Sequence, residues 1–206
     1  RLAGVLGCAK HFPGHGDTSS DSHLDLPVLP HTRERLDAIE LPPFQRLIAA
    51  GIDAVMTAHL LLPELDPQQP ATLSGAVLTD LLRRDLGFDG LVVTDALVME
   101  AIAARHGAAE AAVLAFAAGA DLILMPADAS AAIDGLVEAL HSGRIPIQRL
   151  EDAIRRRRSA LARVSPGDES EGPLVTAADL ALEEQLVESS LIRLSAREIS
   201  PAAGLN

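Results

Sequence analysis

Short apolar runs alternate with longer amphipathic stretches along this chain, and each run ends at a polar or rigid residue. Residues 2–9 are almost continuously apolar, as a parallel strand buried on both faces requires. Three later joints repeat one grammar. Gly51 closes a helix and Asp53 precedes the apolar run 54–58. Gly87 closes another, and Asp89-Gly90 precedes 91–94. Gly119 closes a third, and Asp121 precedes 122–125. A glycine after a helix supplies a left-handed cap, and the short apolar run that follows reads as a strand. The strands empty at Lys10, His59, Asp95 and Pro126. Helix starts are expected at Ser74 and Asp128, and another glycine stop at Gly143. Pro42-Pro43 interrupts the helical stretch 33–50, and those prolines suit the first turn of a second helix beginning near Pro43.

Strands alternating with helices predict an α/β fold with a parallel sheet covered by helices. In a β/α barrel the reactive groups sit where strands meet the loops that follow, which is where Lys10, His11, His59 and Asp95 fall. Four strands make half of a (β/α)8 barrel. The expectation is therefore the C-terminal part of a TIM-like barrel, truncated at its N-terminus, over residues 1–164. The chain opens on Arg1, so earlier strands and any targeting signal are expected upstream. Residues 165–175, beginning SPGDESEGP, read as a linker. Residues 176–206 read as the start of a truncated second domain, with an amphipathic helix at 177–190 and a strand beginning at 191–194. In the helix 150–164 the run Arg155-Arg156-Arg157-Arg158 reads as a solvated face near a helix C-terminus.

Composition narrows the partners. With 206 residues, 48% apolar and 22% charged, the chain can bury one substantial core and is not disordered. A net charge of -12 disfavours nucleic acid. No apolar run approaches the roughly 18 residues of a membrane span. One cysteine, Cys8, excludes an internal disulfide and leaves the compartment open; a cytoplasmic address is the working expectation.

The chemistry gathers in residues 10–23, KHFPGHGDTSSDSH, where a Lys, three His and two Asp lie among glycines and serines. An ordinary turn needs no such surplus of ionisable groups. Asp95 ends a buried strand, where a carboxylate is costly unless it faces a polar site. Retaining glycoside hydrolysis uses one carboxylate as nucleophile and a second group as acid, then base. Asp95 suits the first role. Asp21-x-His23 suits the second, because residues two apart on an extended segment share a side and a carboxylate tunes its imidazole partner for proton transfer. Lys10 and His11 can bind sugar hydroxyls; as neighbours on a strand they are expected to diverge and grip different groups. His15, His59 and Met99 are possible walls of the site. His31, His106 and His141 are expected at the surface. Phe12 is assigned to the core, although the absence of Trp and Tyr leaves it the available stacking face for a sugar.

Residues 10–23 resemble the signature of glycoside hydrolase family 3, in its β-N-acetylglucosaminidase branch. The likeness continues through Val55-Met56-Thr57-Ala58-His59, Val92-Val93-Thr94-Asp95-Ala96-Leu97-Val98-Met99 and Ala118-Gly119-Ala120-Asp121, in the family's order, and covers roughly residues 2–164. It implies Asp95 as nucleophile, His23 as general acid/base and Asp21 as its partner. It also implies Lys10 and His11 as contacts to an N-acetylglucosamine unit, and no cofactor. The implied activity is β-N-acetylhexosaminidase, with cell-wall muropeptides as the implied substrate. Ala96 stands where many members carry Asp, and the family's earlier Asp and Arg sugar contacts have no counterpart here. β-Glucosidases and a phosphorylase of the same family are alternatives. From another class, a metal-dependent barrel hydrolase could use His11, His15, His23, His59 and Asp95 as ligands, although Pro13 and Gly14 break any helical ligand spacing. A non-catalytic sugar-binding module is the remaining rival.

Overall fold

The computed structural model describes residues 4–18 and 25–164, together with Ala181 and Gln185. Residues 4–164 fall in the first of two compact units, Arg1–Pro166. Expectations for the linker 165–175 and for the rest of 176–206 lie outside the described residues, as do Asp21 and His23.

Three parallel strands, β1 (Cys8–Phe12), β2 (Ala54–Thr57) and β3 (Leu91–Val93), form a sheet in that order. Their register pairs Cys8 with Ala54 and Ala54 with Leu91, so all three enter at one edge and leave at the other. β1 lies later than the hydrophobic run implies. Its pairing begins opposite Ala54, so the strand extends only as far as β2 can bond it and takes in Lys10 and His11. The fourth run is a single bridge, Val93 to Leu122, rather than a strand. The backbone beyond Leu122 serves the loop after β3 instead: the Leu124 and Met125 carbonyls accept from Leu97 and Val98 N–H.

The prolines do start a helix but do not separate two. Helix α1 (Arg33–Arg35) runs through a π-helical segment (Leu36–Glu40) into α2 (Leu41–Ala49), with a proline in the first turn of α2. The π turn widens the helix just ahead of two residues that lack N–H donors, and the chain continues without a break. Further on come a 3-10 turn (Ala71–Leu73), a π-helix (Ala76–Asp85), α3 (Glu100–Ala103), α4 (Ala108–Ala118), α5 (Ala129–His141) and α6 (Ile147–Leu161). Ser74 accepts from Val77 N–H and Asp128 from Ala131 N–H, the caps expected of them. Gly51 and Gly87 close their helices at φ of +76° and +68°.

One core joins sheet and helices. Phe12, Leu36, Leu41, Val55, Leu78, Val92 and Ile102 are all buried in it, and Phe12 packs edge-on against Phe44 with ring centroids 5.1 Å apart. Phe12 is thus a core residue. A buried aromatic pair of this kind anchors the strand end that carries Lys10 and His11 to α2.

The arginine run of α6 is only partly a solvated face. Arg157 and Arg158 are exposed, but Arg156 is half-buried and bonds both Asp89 and Asp121. Arg155 also pairs with Asp89, and Arg163, just past the helix, pairs with Asp53. The aspartates that open the three joints are therefore anchor points for arginines at the entering edge of the sheet. The opposite edge is left for chemistry. Among the described residues no helix is long and apolar enough to cross a membrane.

Candidate active site

At the leaving edge of the sheet, β1, β2 and β3 deliver His11, His59 and Asp95 to one place. His11 Nε2 lies 3.6 Å from Asp95 Oδ2, too far for a hydrogen bond and close enough for direct electrostatic coupling. Both side chains keep some exposure, 29% and 20%, so a ligand can reach them. Burial pushes the His11 imidazole below its ordinary 6.5; Asp95 opposes this, while Lys10 and His15 reinforce it. Near neutrality His11 is a neutral ring beside a carboxylate.

Lys10 and His11 do not diverge. The β1–β2 register shifts between Ala9 and Phe12, which breaks the two-residue alternation, and both residues line one cleft of about 450 Å³. His15 lines it too; its ring stands edge-on to His11 with centroids 6.3 Å apart, and its Nδ1 is 3.1 Å from Thr18 Oγ1. The far wall includes Arg35 and Glu40. The Lys10–His11 and Phe12–Pro13 peptides are cis.

Four residues that the sequence left unassigned, or placed at the surface, tie this loop to the helix. Asp17 accepts from Arg35 at 3.3 Å and contacts His31 at 3.1 Å, and Arg35 also reaches Glu40 at 3.1 Å. His31 is half-buried, and not at the surface, because it sits between Asp17 and Glu40. Gly14 passes so close to Glu40 that a Cβ there would lie 2.9 Å from the Glu40 Cβ. His106 is half-buried and His141 exposed.

His59 is wholly buried, so it supports the site from beneath and does not touch solvent. Its Nε2 is 3.0 Å from the Ala96 carbonyl and its Nδ1 2.7 Å from Thr72 Oγ1. Thr72 and Thr57 hydroxyls are 2.7 Å apart, and Asp95 N–H donates to Thr57 at 3.3 Å. Met99 is also buried; its N–H donates to the same Ala96 carbonyl, closing the turn after Asp95.

Burial drives the His59 pKa below 6.5. The Ala96 carbonyl and Asp95 resist this, whereas His11 and His15 add to it. The unfolded chain takes up that proton near 6.5 and the folded protein does not, so the unfolded state binds more protons below that value. Stability is complete above it and declines as pH falls through it. Urea midpoints measured between about pH 7.5 and about pH 5 are expected to fall for the wild type and to fall less steeply for His59→Gln. Equal slopes would show that His59 is not held neutral.

Among the described residues no group of three or more His, Cys, Asp or Glu is arranged to hold a metal ion. The profile of the Glycosyl hydrolase family 3 N terminal domain matches residues 1–159. The chain belongs to glycoside hydrolase family 3.

Relatives within family 3 agree with that placement. The chain is 43% identical over 136 residues to "Beta-hexosaminidase A" of Pseudoalteromonas piscicida, a match covering 60% of this chain and 23% of that one. It is 42% identical over 136 residues to the "Beta-hexosaminidase" of Chromobacterium violaceum, covering 65% and 38%. A solved family 3 beta-N-acetylglucosaminidase from Paenibacillus sp. str. FPU-7 superposes with a TM-score of 0.81 at 47% identity, over 89% of this chain and 37% of that chain. The chain thus spans well under half the length of each of these relatives. The likeness supports the α/β fold with a parallel sheet as part of a TIM-like barrel.

Proposed function

We propose that this chain carries the nucleophile side of a retaining β-N-acetylhexosaminidase that releases terminal N-acetylglucosamine. The observation that carries the reading is Asp95, a half-exposed carboxylate at the leaving edge of a buried strand, with one oxygen 3.6 Å from a neutral His11. The names of the relatives support the sugar. In the first step Asp95 attacks the anomeric carbon and the glycosidic C–O bond breaks. Its electron pair goes to the departing oxygen, which takes a proton from His23. In the second step water gives a proton to His23 and attacks the same carbon, and the bond to Asp95 breaks. Asp21 holds the His23 imidazole for both transfers. Lys10 and His11 bind the sugar, and contacts that tighten as the ring flattens toward an oxocarbenium-like state accelerate the step. A cytoplasmic role in recycling cell-wall muropeptides is the physiological setting proposed.

Incubation of the chain, completed with the earlier barrel strands, with a 5-fluorinated N-acetylglucosaminyl fluoride, followed by peptide mapping, tests this. One covalent adduct on the peptide containing Asp95 is expected. An adduct on any peptide lacking Asp95 overturns the assignment. Release of N-acetylglucosamine from its aryl glycoside is expected without added phosphate and in the presence of a chelator. Dependence on phosphate would make the enzyme a phosphorylase, dependence on metal would favour the metal-hydrolase reading, and preference for an aryl glucoside would favour a β-glucosidase.

A further inference from the structure

The hydrogen bonds beneath Asp95 have a direction that the chemistry of the groups dictates. The Ala96 carbonyl can only accept, so His59 Nε2 carries a proton and donates it at 3.0 Å. A neutral imidazole then offers a lone pair at Nδ1, and Thr72 O–H, 2.7 Å away, fills it. The Thr72 hydroxyl also lies 3.0 Å from the Ala58 carbonyl, but its single proton serves the nearer imidazole nitrogen, which faces no other donor among the described residues. Having given its proton to His59, Thr72 accepts from Thr57 O–H at 2.7 Å. Thr57 in turn accepts from Asp95 N–H. The bonds therefore run Asp95 N–H to Thr57 to Thr72 to His59 to Ala96 C=O. They begin and end on two adjacent residues.

We propose that Thr57, Thr72 and His59 are positioning residues that clamp the Asp95–Ala96 backbone and so present Oδ2 of Asp95 as the attacking oxygen. The clamp fixes the peptide before the Asp95 Cα and the peptide after the Ala96 Cα, which leaves the Asp95 side chain's own rotation to be set. That is set locally: Asp95 Oδ1 accepts from Ala96 N–H at 2.8 Å. Oδ2 is the oxygen left facing His11. Bonds that donate in one sense round a buried ring polarise one another, and Thr57, His59 and Thr72 are each wholly buried. Removing one hydroxyl leaves its neighbours unpaired and lets the Asp95 peptide drift, and a drift of about 1 Å at a reacting group costs on the order of a hundredfold in rate.

This rests on the proposed nucleophilic role of Asp95, and the test keeps the two separable. Thr72→Val removes the hydroxyl at nearly constant shape, and Thr72→Ser keeps it. Thr72→Val is expected to slow both turnover and covalent labelling by the fluorinated sugar by about ten- to a hundredfold while KM stays within about twofold, and Thr72→Ser to retain most of the rate. Independently of activity, the amide NMR signals of Asp95 and Ala96 and the His59 ring N–H signal are expected to shift in Thr72→Val and to stay close to wild type in Thr72→Ser. A wild-type rate with unmoved amides in Thr72→Val overturns the clamp, as does a serine variant as impaired as the valine one. If Thr72→Val does not fold, Thr57→Val and Thr57→Ser are read by the same criteria. A wild type within a completed barrel that neither turns over nor takes label refutes the proposed function, and the amide shifts then decide whether the clamp exists.

Discussion

Asp95→Ala is expected to lower hydrolysis of an aryl N-acetylglucosaminide by about 10⁴-fold, roughly 5 kcal/mol of transition-state stabilisation. The variant should keep the fold, because Asp95 reaches solvent and its backbone contacts survive the change. The stereochemistry of rescue then separates the two proposed roles. With Asp95 gone, azide can fill the space and attack the anomeric carbon in one displacement, giving the α-glycosyl azide. With His23→Ala the covalent intermediate still forms from an activated leaving group, and azide replaces water in the second step to give the β-glycosyl azide. If Asp95→Ala keeps more than about a tenth of the wild-type rate, Asp95 is not the nucleophile, and the substrate's own acetamido oxygen becomes the candidate. An α-azide from His23→Ala would remove His23 from the acid/base role.

How far this site could be read from residues alone depended on the range of each interaction. The strands were legible because apolar runs opened by Asp53, Asp89 and Asp121 are local patterns, and so was Asp95 as a carboxylate stranded where one of those runs ends. Thr57 and Thr72 were not. A threonine in a strand is ordinary β-branched filling, and nothing local says that another threonine 15 residues away will meet it at 2.7 Å. Arg35, Glu40 and Asp17 escaped for the same reason, since each resembles a surface charge until helix and loop are folded together. The Lys10–His11 divergence failed for a different one. Strict alternation assumes an unbroken ladder, and the register shift before Phe12 turns both residues into one cleft. The fourth strand had the right composition but lost its pairing, because the loop after β3 took its carbonyls.

The opposite edge of the sheet yields the largest stability prediction. The Asp121 side chain is fully buried, and its two oxygens receive Arg83 at 2.6 Å, Arg149 at 2.9 Å, Arg156 at 3.4 Å and Val92 N–H at 3.0 Å. Arg83 sits deep enough that burial pulls its guanidinium down to about 10 even with Asp121 beside it. Asp121→Ala removes the one carboxylate these three share and leaves poorly solvated positive charges facing one another. Losing one partner of a buried ionic cluster costs about 3–5 kcal/mol, a large part of the roughly 5–15 kcal/mol that holds a domain folded. A fall in Tm of about 10 °C or more is expected, with the denaturant midpoint falling in step. Asp89→Ala is the control. That carboxylate also pairs with two arginines but is 69% exposed, so water already screens it and the expected change is below about 1 kcal/mol. Equal effects from the two substitutions would mean that the edge is held by packing of α6 on the sheet, through Ala160 against Ala54 and Leu91, and not by its buried charges.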